Sequence, residues 1–116
     1  LVAANRYRAE ANMKTIMVRY RTKPEQADAN VTLVRAVFEE LRQSAPQGLS
    51  YASYRLADGV SFIHVVTHTE PNPLTALPAF KAFQAQLRER IEESPQVTEL
   101  FTVGSFGSSP SPLMEG

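Results

Sequence analysis

Two histidines, His64 and His68, are the only imidazoles in the chain, and both fall within one β-rich run, Val60 to His68. A histidine titrates near neutral pH, so either could serve as a general base, a ligand contact or a metal donor. Asp58-Gly59 joins this run to a preceding one, Leu49 to Ala57. That dipeptide predicts a two-residue type I′ hairpin turn, because both central positions of such a turn need positive φ. The turn fixes a register: Arg55 opposite Phe62, Ser53 opposite His64, Tyr51 opposite Val66 and Leu49 opposite His68, all on one side of the sheet. A face on which Tyr51, Arg55, His64 and His68 interleave with Phe62 and Val66 resembles the wall of a ligand cavity more than a close-packed core. Read as neighbours on one strand face, the histidines would form half of a metal site and need acidic ligands from outside the hairpin. No metal is therefore expected. Tyr51 and Arg55 suit a phenolate or carboxylate, since a guanidinium offers a planar fork of donors. The alternative is cross-strand packing for both, and for His64 burial as a neutral ring bonded to Ser53 or a tyrosine.

The elements that must position these residues follow from hydrophobic periodicity. Lys14 to Arg21 alternates, with Ile16, Val18 and Tyr20 on one side and Thr15, Met17, Arg19 and Arg21 on the other, which predicts the first strand. Arg19 stands out there, because a charge inside a sheet must be paired or open to water. Pro24 suits the opening of a helix through Ser44, whose stripe carries Val31, Val34, Phe38 and Leu41. Past Pro78, the spacing of Phe80, Phe83, Leu87 and Ile91 predicts a second helix closed by Ser94-Pro95; Phe80 and Phe83 read as core or as aromatic cavity wall. Val97 to Phe106 reads as the last strand.

The order strand, helix, strand, strand, helix, strand predicts an α+β, ferredoxin-like βαββαβ sandwich with both helices on one face of an antiparallel sheet. Two helices cannot cover both faces of four strands, so a homodimer is expected. The domain is expected at 13–106, with 1–12 as an N-terminal extension and 107–116 as a disordered tail.

With 116 residues the chain suits one domain, and twelve acidic side chains balance twelve basic ones. No global field draws it to nucleic acid or to an anionic membrane, so neither is an expected partner. There is no cysteine, hence no disulfide framework and no thiol nucleophile. No apolar run approaches the roughly 20 residues of a membrane span, and a soluble cytoplasmic protein is expected. Glycine-rich phosphate loops, nucleophile elbows and metalloprotease helices are missing from the sequence.

Four segments carry a resemblance: Arg19-Tyr20-Arg21-Thr22-Lys23-Pro24; Gly48-Leu49-Ser50-Tyr51 with Tyr54-Arg55; Pro78-Ala79-Phe80-Lys81-Ala82-Phe83 with Leu87; and Val103-Gly104-Ser105-Phe106. On these the chain resembles the antibiotic biosynthesis monooxygenase (ABM-like) family of dimeric α/β barrels. The resemblance implies a homodimer, a pocket between each sheet and its own helices, and, in catalytic members, oxygenation of aromatic compounds or haem degradation without a conventional organic cofactor. It implies a cofactor-independent monooxygenase of small electron-rich aromatic or quinone-like compounds, with His64 or His68 as base, Arg19 or Arg55 stabilising the anion, and Tyr51, Phe62, Phe80 and Phe83 around the substrate. The other reading is a non-catalytic small-molecule-binding or structural barrel. This chain departs from the family where catalytic members commonly carry an acidic residue and a tryptophan: it has Val66 and His68 there. It has Met17 where some carry asparagine, and no counterpart of the iron-ligating histidine.

Overall fold

The computed structural model describes residues 13–107, so the expectations for 1–12 and for most of the C-terminal tail lie outside the described residues. Strand β1 (Lys14–Arg21) leads through a 3₁₀ turn at Pro24–Gln26 into helix α1 (Ala27–Ser44). Strands β2 (Leu49–Arg55) and β3 (Ser61–His68) form the hairpin. After a second 3₁₀ turn at Pro73–Ala76 come α2 (Pro78–Ala85), the single turn α3 (Leu87–Arg90) and β4 (Gln96–Leu100). The four strands are antiparallel in the order β2-β3-β1-β4, the ferredoxin-like arrangement expected from the element order.

The hairpin register is the one the sequence predicts, with Arg55 opposite Phe62, Ser53 opposite His64, Tyr51 opposite Val66 and Leu49 opposite His68. Its turn differs. Among the connecting residues only Gly59 has positive φ, at 80°, and the Gly59 N–H bonds the Leu56 carbonyl across a wider loop. Asp58 stays at negative φ because its carboxylate is occupied: it accepts from the Val60 and Ser61 N–H groups and from Ser61 Oγ at 2.6 Å. These three bonds hold the Asp58 pKa below its ordinary value, with the Ser61 hydroxyl the largest cause.

Burial alternates along β3: Phe62, His64, Val66 and His68 are buried beneath the helices, whereas Ile63, Val65 and Thr67 are half-buried on the other face. The core lies on the helix-covered side, where Tyr20, Val34, Val37, Phe62, Val66, Leu74, Leu77 and Phe83 form one cluster. Helix α2 is tied to α1 at its start, where the Ala79 N–H donates to Glu40 Oε1 at 2.8 Å.

Two predicted elements end early. The second helix does not run to Ser94: it breaks at Gln86, resumes for one turn and stops at Arg90. Ile91 takes extended geometry and bridges Thr22 just past β1, while the Lys23 N–H bonds the Arg90 carbonyl. The last strand covers Gln96–Leu100 rather than continuing to Phe106, because Leu100 pairs with Thr15 and β1 begins at Lys14, leaving almost nothing further to pair with. Residues 101–107 follow without regular structure, and Phe101, Val103 and Phe106 are exposed.

Candidate functional site

A line of hydrogen bonds crosses the interior between sheet and helices. Arg90 is only 3% exposed and has no carboxylate paired with it among the described residues. A buried cation of this kind must be satisfied by dipoles and aromatic faces. Its Nε donates to Asn30 Oδ1 at 3.1 Å, its Nη2 donates to the Phe83 carbonyl at 2.9 Å, and its guanidinium lies 5.0 Å from the Phe83 ring centroid. Nη1 has no partner among the described residues. The Phe83 carbonyl belongs to the last turn of α2, so the Arg90 side chain caps that helix where it breaks.

From Asn30 the line continues to the sheet. The Asn30 amide donates to Tyr20 Oη at 2.8 Å, and Tyr20 Oη lies 2.8 Å from His64 Nε2. The other ring nitrogen, Nδ1, is hydrogen-bonded to Tyr51 Oη. Both nitrogens of His64 are thus engaged. Burial lowers the His64 pKa from 6.5 to about 4, so the ring is neutral at physiological pH. Burial likewise raises Tyr20 to about 12, against the opposing pull of the Asn30 hydrogen bond and the Arg90 charge, and drives Tyr51 upward. The rings pack as they bond: Tyr20 stacks on Phe62 at 5.5 Å, Tyr51 on Phe38 at 4.6 Å, and Phe83 lies 5.7 Å from His64.

Beside this line a cavity of about 270 Å³ opens between α1 and the hairpin. Val31, Val34 and Phe38 form its helix side, Ser53, Arg55 and Phe62 its sheet side, and Arg35 its rim. No member of the polar line lines this cavity; Ser53, which pairs with His64 across the hairpin, and Phe38, which stacks on Tyr51, adjoin both. Arg55 bonds the Gly59 carbonyl at 2.8 Å and meets Asp28 of α1 at 3.2 Å across the opening.

The predicted site residues divide accordingly. Tyr51, Arg55, Phe62, His64 and Phe83 are brought together, with Phe80 stacked behind Phe83 at 6.1 Å. His68 stands apart. The histidines are four positions apart, about 13 Å at strand rise, so they are not neighbours on the strand face and do not form half of one metal site. The His68 Nδ1 lies 2.7 Å from the Thr69 carbonyl and 3.9 Å from Glu70. Arg19 projects from the opposite face, where its pairing with Ile63 puts it. Among the described residues no group of three or more His, Asp or Glu side chains converges as a metal site would require, and no helix is long and apolar enough to cross a membrane.

Tyr20, Asn30 and Arg90 were not singled out by sequence as site residues, although a signal exists. Asn30 occupies the stripe of Val34, Val37 and Leu41 on α1, and Arg90 follows Phe83 and Leu87 on theirs. A polar residue in an apolar stripe requires a buried partner.

No protein-family model matches the chain, and no curated protein matches it. Solved structures do. Rv0793 of Mycobacterium tuberculosis superposes with a TM-score of 0.67 at 21% identity, over 82% of this chain and 99% of that one. A structure named antibiotic biosynthesis monooxygenase gives 0.62 at 18% identity, over 78% of this chain and 99% of its own. A Nitrosomonas europaea protein named as a candidate antibiotic biosynthesis monooxygenase gives 0.67 at 12% identity, over 83% and 95% of the two chains. The chain therefore has the α+β, ferredoxin-like fold of structures that carry the antibiotic biosynthesis monooxygenase name.

Proposed function

We propose that this protein binds a small electron-rich aromatic compound in the cavity between α1 and the hairpin and, as a homodimer, oxygenates it with O₂ without an organic cofactor. The observation that carries the binding half is the cavity itself: apolar and aromatic walls, one hydroxyl, two guanidinium groups, and a buried Tyr–His–Tyr line alongside. Its volume, about 270 Å³, falls just below the usual range for ligand pockets and suits one or two fused rings. The oxygenation half is supported by the names of the similar folds. Arg55 and Arg35 favour the phenolate over the phenol. A phenolate is the form that passes an electron to O₂; one oxygen atom then enters the ring and the other leaves as water, with the substrate itself supplying all four electrons and ending as a quinone, so that phenol and O₂ give quinone and water.

With both ring nitrogens engaged, His64 serves as a link between two tyrosines rather than as a free base. That observation favours a second reading, binding without turnover. Support for the dimer comes from the uncovered sheet face, where Met17, Ile63, Val65 and Leu100 are half-buried and Tyr54 is exposed, and from the exposed Phe101, Val103 and Phe106.

The test is a melting-shift panel of hydroxylated naphthalenes and naphthoquinones, followed by oxygen-electrode and ¹⁸O₂ measurements on each binder. A compound held at 100 times its Kd stabilises the protein by about 2.7 kcal/mol. One labelled atom in the product establishes the monooxygenase. Binding without oxygen uptake selects the second reading, and a panel with no binder overturns both.

A further inference from the structure

The polar side chains that line the cavity between α1 and the hairpin are Ser53, Arg55 and Arg35; no carboxylate, amide or imidazole is among its walls. A guanidinium can only donate, and a serine hydroxyl can do either, so the polar part of the wall offers hydrogens and two positive charges. The rest is apolar or aromatic. Arg55 is held in place from both sides. Its Nε donates to the Gly59 carbonyl at 2.8 Å, and its guanidinium carbon stands 5.8 Å from the centre of the Phe62 ring, itself part of the wall. Its Nη2 donates to Asp28 at 3.2 Å, and the remaining N–H groups of the fork have no acceptor among the described residues.

The acid at this opening is a weak partner. The Asp28 side chain is 95% exposed, and an ion pair so open to water is readily exchanged for another. Arg35 lies seven residues beyond Asp28 on α1, two helical turns or about 10 Å away, so Asp28 answers Arg55 at one end of the opening and leaves Arg35 at the other. Glu39, one turn beyond Arg35, is taken by Arg42 at 3.2 Å. The ion pairs among the described residues engage Arg21, Arg42, Arg55 and His68, and Arg35 is in none of them.

We infer that the cavity takes an organic acid, its apolar body between α1 and the hairpin and its carboxylate at the mouth between Arg55 and Arg35, where it replaces Asp28. A carboxylate presents two oxygens in one plane and matches the guanidinium fork, which the single oxygen of a phenol or a ketone does not. Asp28 is then a competitor built into the chain, occupying Arg55 until an acid arrives. The inference rests on the binding site proposed above and is independent of oxygenation there. Recognition lies in the head group, so the body is free to be a ring or a short alkyl chain.

Calorimetric titration of the full chain tests this with two pairs of probes, 2-naphthoate against its methyl ester and octanoate against 1-octanol. Each acid is expected to bind about tenfold or more tighter than its neutral counterpart. Arg55→Gln and Arg35→Gln should each weaken 2-naphthoate about fivefold and leave the ester unchanged, whereas Arg19→Gln, on the other face of the sheet, should alter neither. Asp28→Asn separates competition from mere support of Arg55: removal of a competitor strengthens 2-naphthoate, by about threefold. An acid that binds no tighter than its neutral counterpart, or not at all, overturns the inference. So does weakening of 2-naphthoate by Asp28→Asn, or a loss in Arg19→Gln that Arg55→Gln and Arg35→Gln do not show. Tight binding of naphthoquinone in a protein indifferent to the carboxylate leaves the aromatic site standing and removes the acid alone. Acids bound by a protein that takes no hydroxylated naphthalene or naphthoquinone uphold the acid and remove that ligand class instead.

Discussion

The two faces of this sheet are built from alternate residues of the same strands and have opposite characters. Beneath the helices, His64, Tyr20 and Tyr51 sit among Phe62, Val66 and Phe83, and every polar group there is placed by another. On the other face, Met17, Ile63, Val65, Ala52 and Leu100 lie without a helix above them, with Thr15 and Thr67 sharing a hydroxyl bond at 2.9 Å. The face that is dry by composition is the one left open, and the face that is covered is polar at its centre. A polar centre is tolerable under cover because nearly every polar atom in it has a partner, Arg90 Nη1 being the exception among the described residues. The open face makes no such demand and is free to serve for association.

Breaking the covered face has the largest expected effect. Asn30→Leu removes the acceptor of a buried guanidinium and the donor to Tyr20 together, and denaturant unfolding should show a loss of about 3 kcal/mol or more. A loss below about 1 kcal/mol would mean that water reaches Arg90 and that the line is not closed.

The next effect is a pH dependence. The folded-state pKa of His64, about 4, lies below its unfolded value of 6.5, so the unfolded chain binds more protons between those limits. The corresponding stability is fully present above pH 6.5 and is lost as the pH falls toward 4, by roughly 3 kcal/mol at 1.36 kcal/mol per unit. His64→Gln should flatten that part of the stability curve relative to wild type. Equal slopes for both proteins would place the titration elsewhere.

On the open face the expected effect is on mass rather than on the fold. If the proposed dimer forms through this face, Val65→Asp should halve the mass seen by light scattering at micromolar concentration while leaving the covered side intact, since Val65 and His64 point to opposite sides. A full-mass variant would put the interface elsewhere.

Arg55→Gln has the smallest effect on stability, under about 1 kcal/mol, because its ion pair with Asp28 is exposed. Its effect should appear in the affinity of a phenolate for the cavity, and an unchanged affinity would remove Arg55 from the site.

Most of the fold is legible in local pattern. The alternation of Lys14–Arg21, the stripe from Val31 to Leu41 and the Asp58-Gly59 turn give the order of elements and the hairpin register, because each depends on near neighbours. The breaks were not legible. The stripe of Phe80, Phe83, Leu87 and Ile91 is continuous in sequence, yet Arg90 turns inward to Asn30, 60 positions away, and Ile91 is drawn to Thr22. The candidate site was half legible. Tyr51, Arg55, Phe62 and His64 share one hairpin and follow from its register. Tyr20, Asn30 and Arg90 come from three other elements and meet only when the helices close over the sheet. His68 shares a face with His64, but one pleat repeat too far along the strand to share its surroundings.

The most direct test of the contrast between the faces uses ring protons of a bound naphthoquinone as reporters, in protein labelled at the methyl groups of valine, isoleucine and methionine. Occupation of the covered side gives intermolecular contacts to Val31 and Val34 and none to Met17, Ile63 or Val65. Contacts to Met17, Ile63 or Val65, with Val31 and Val34 silent, would place the ligand on the open face and contradict the account.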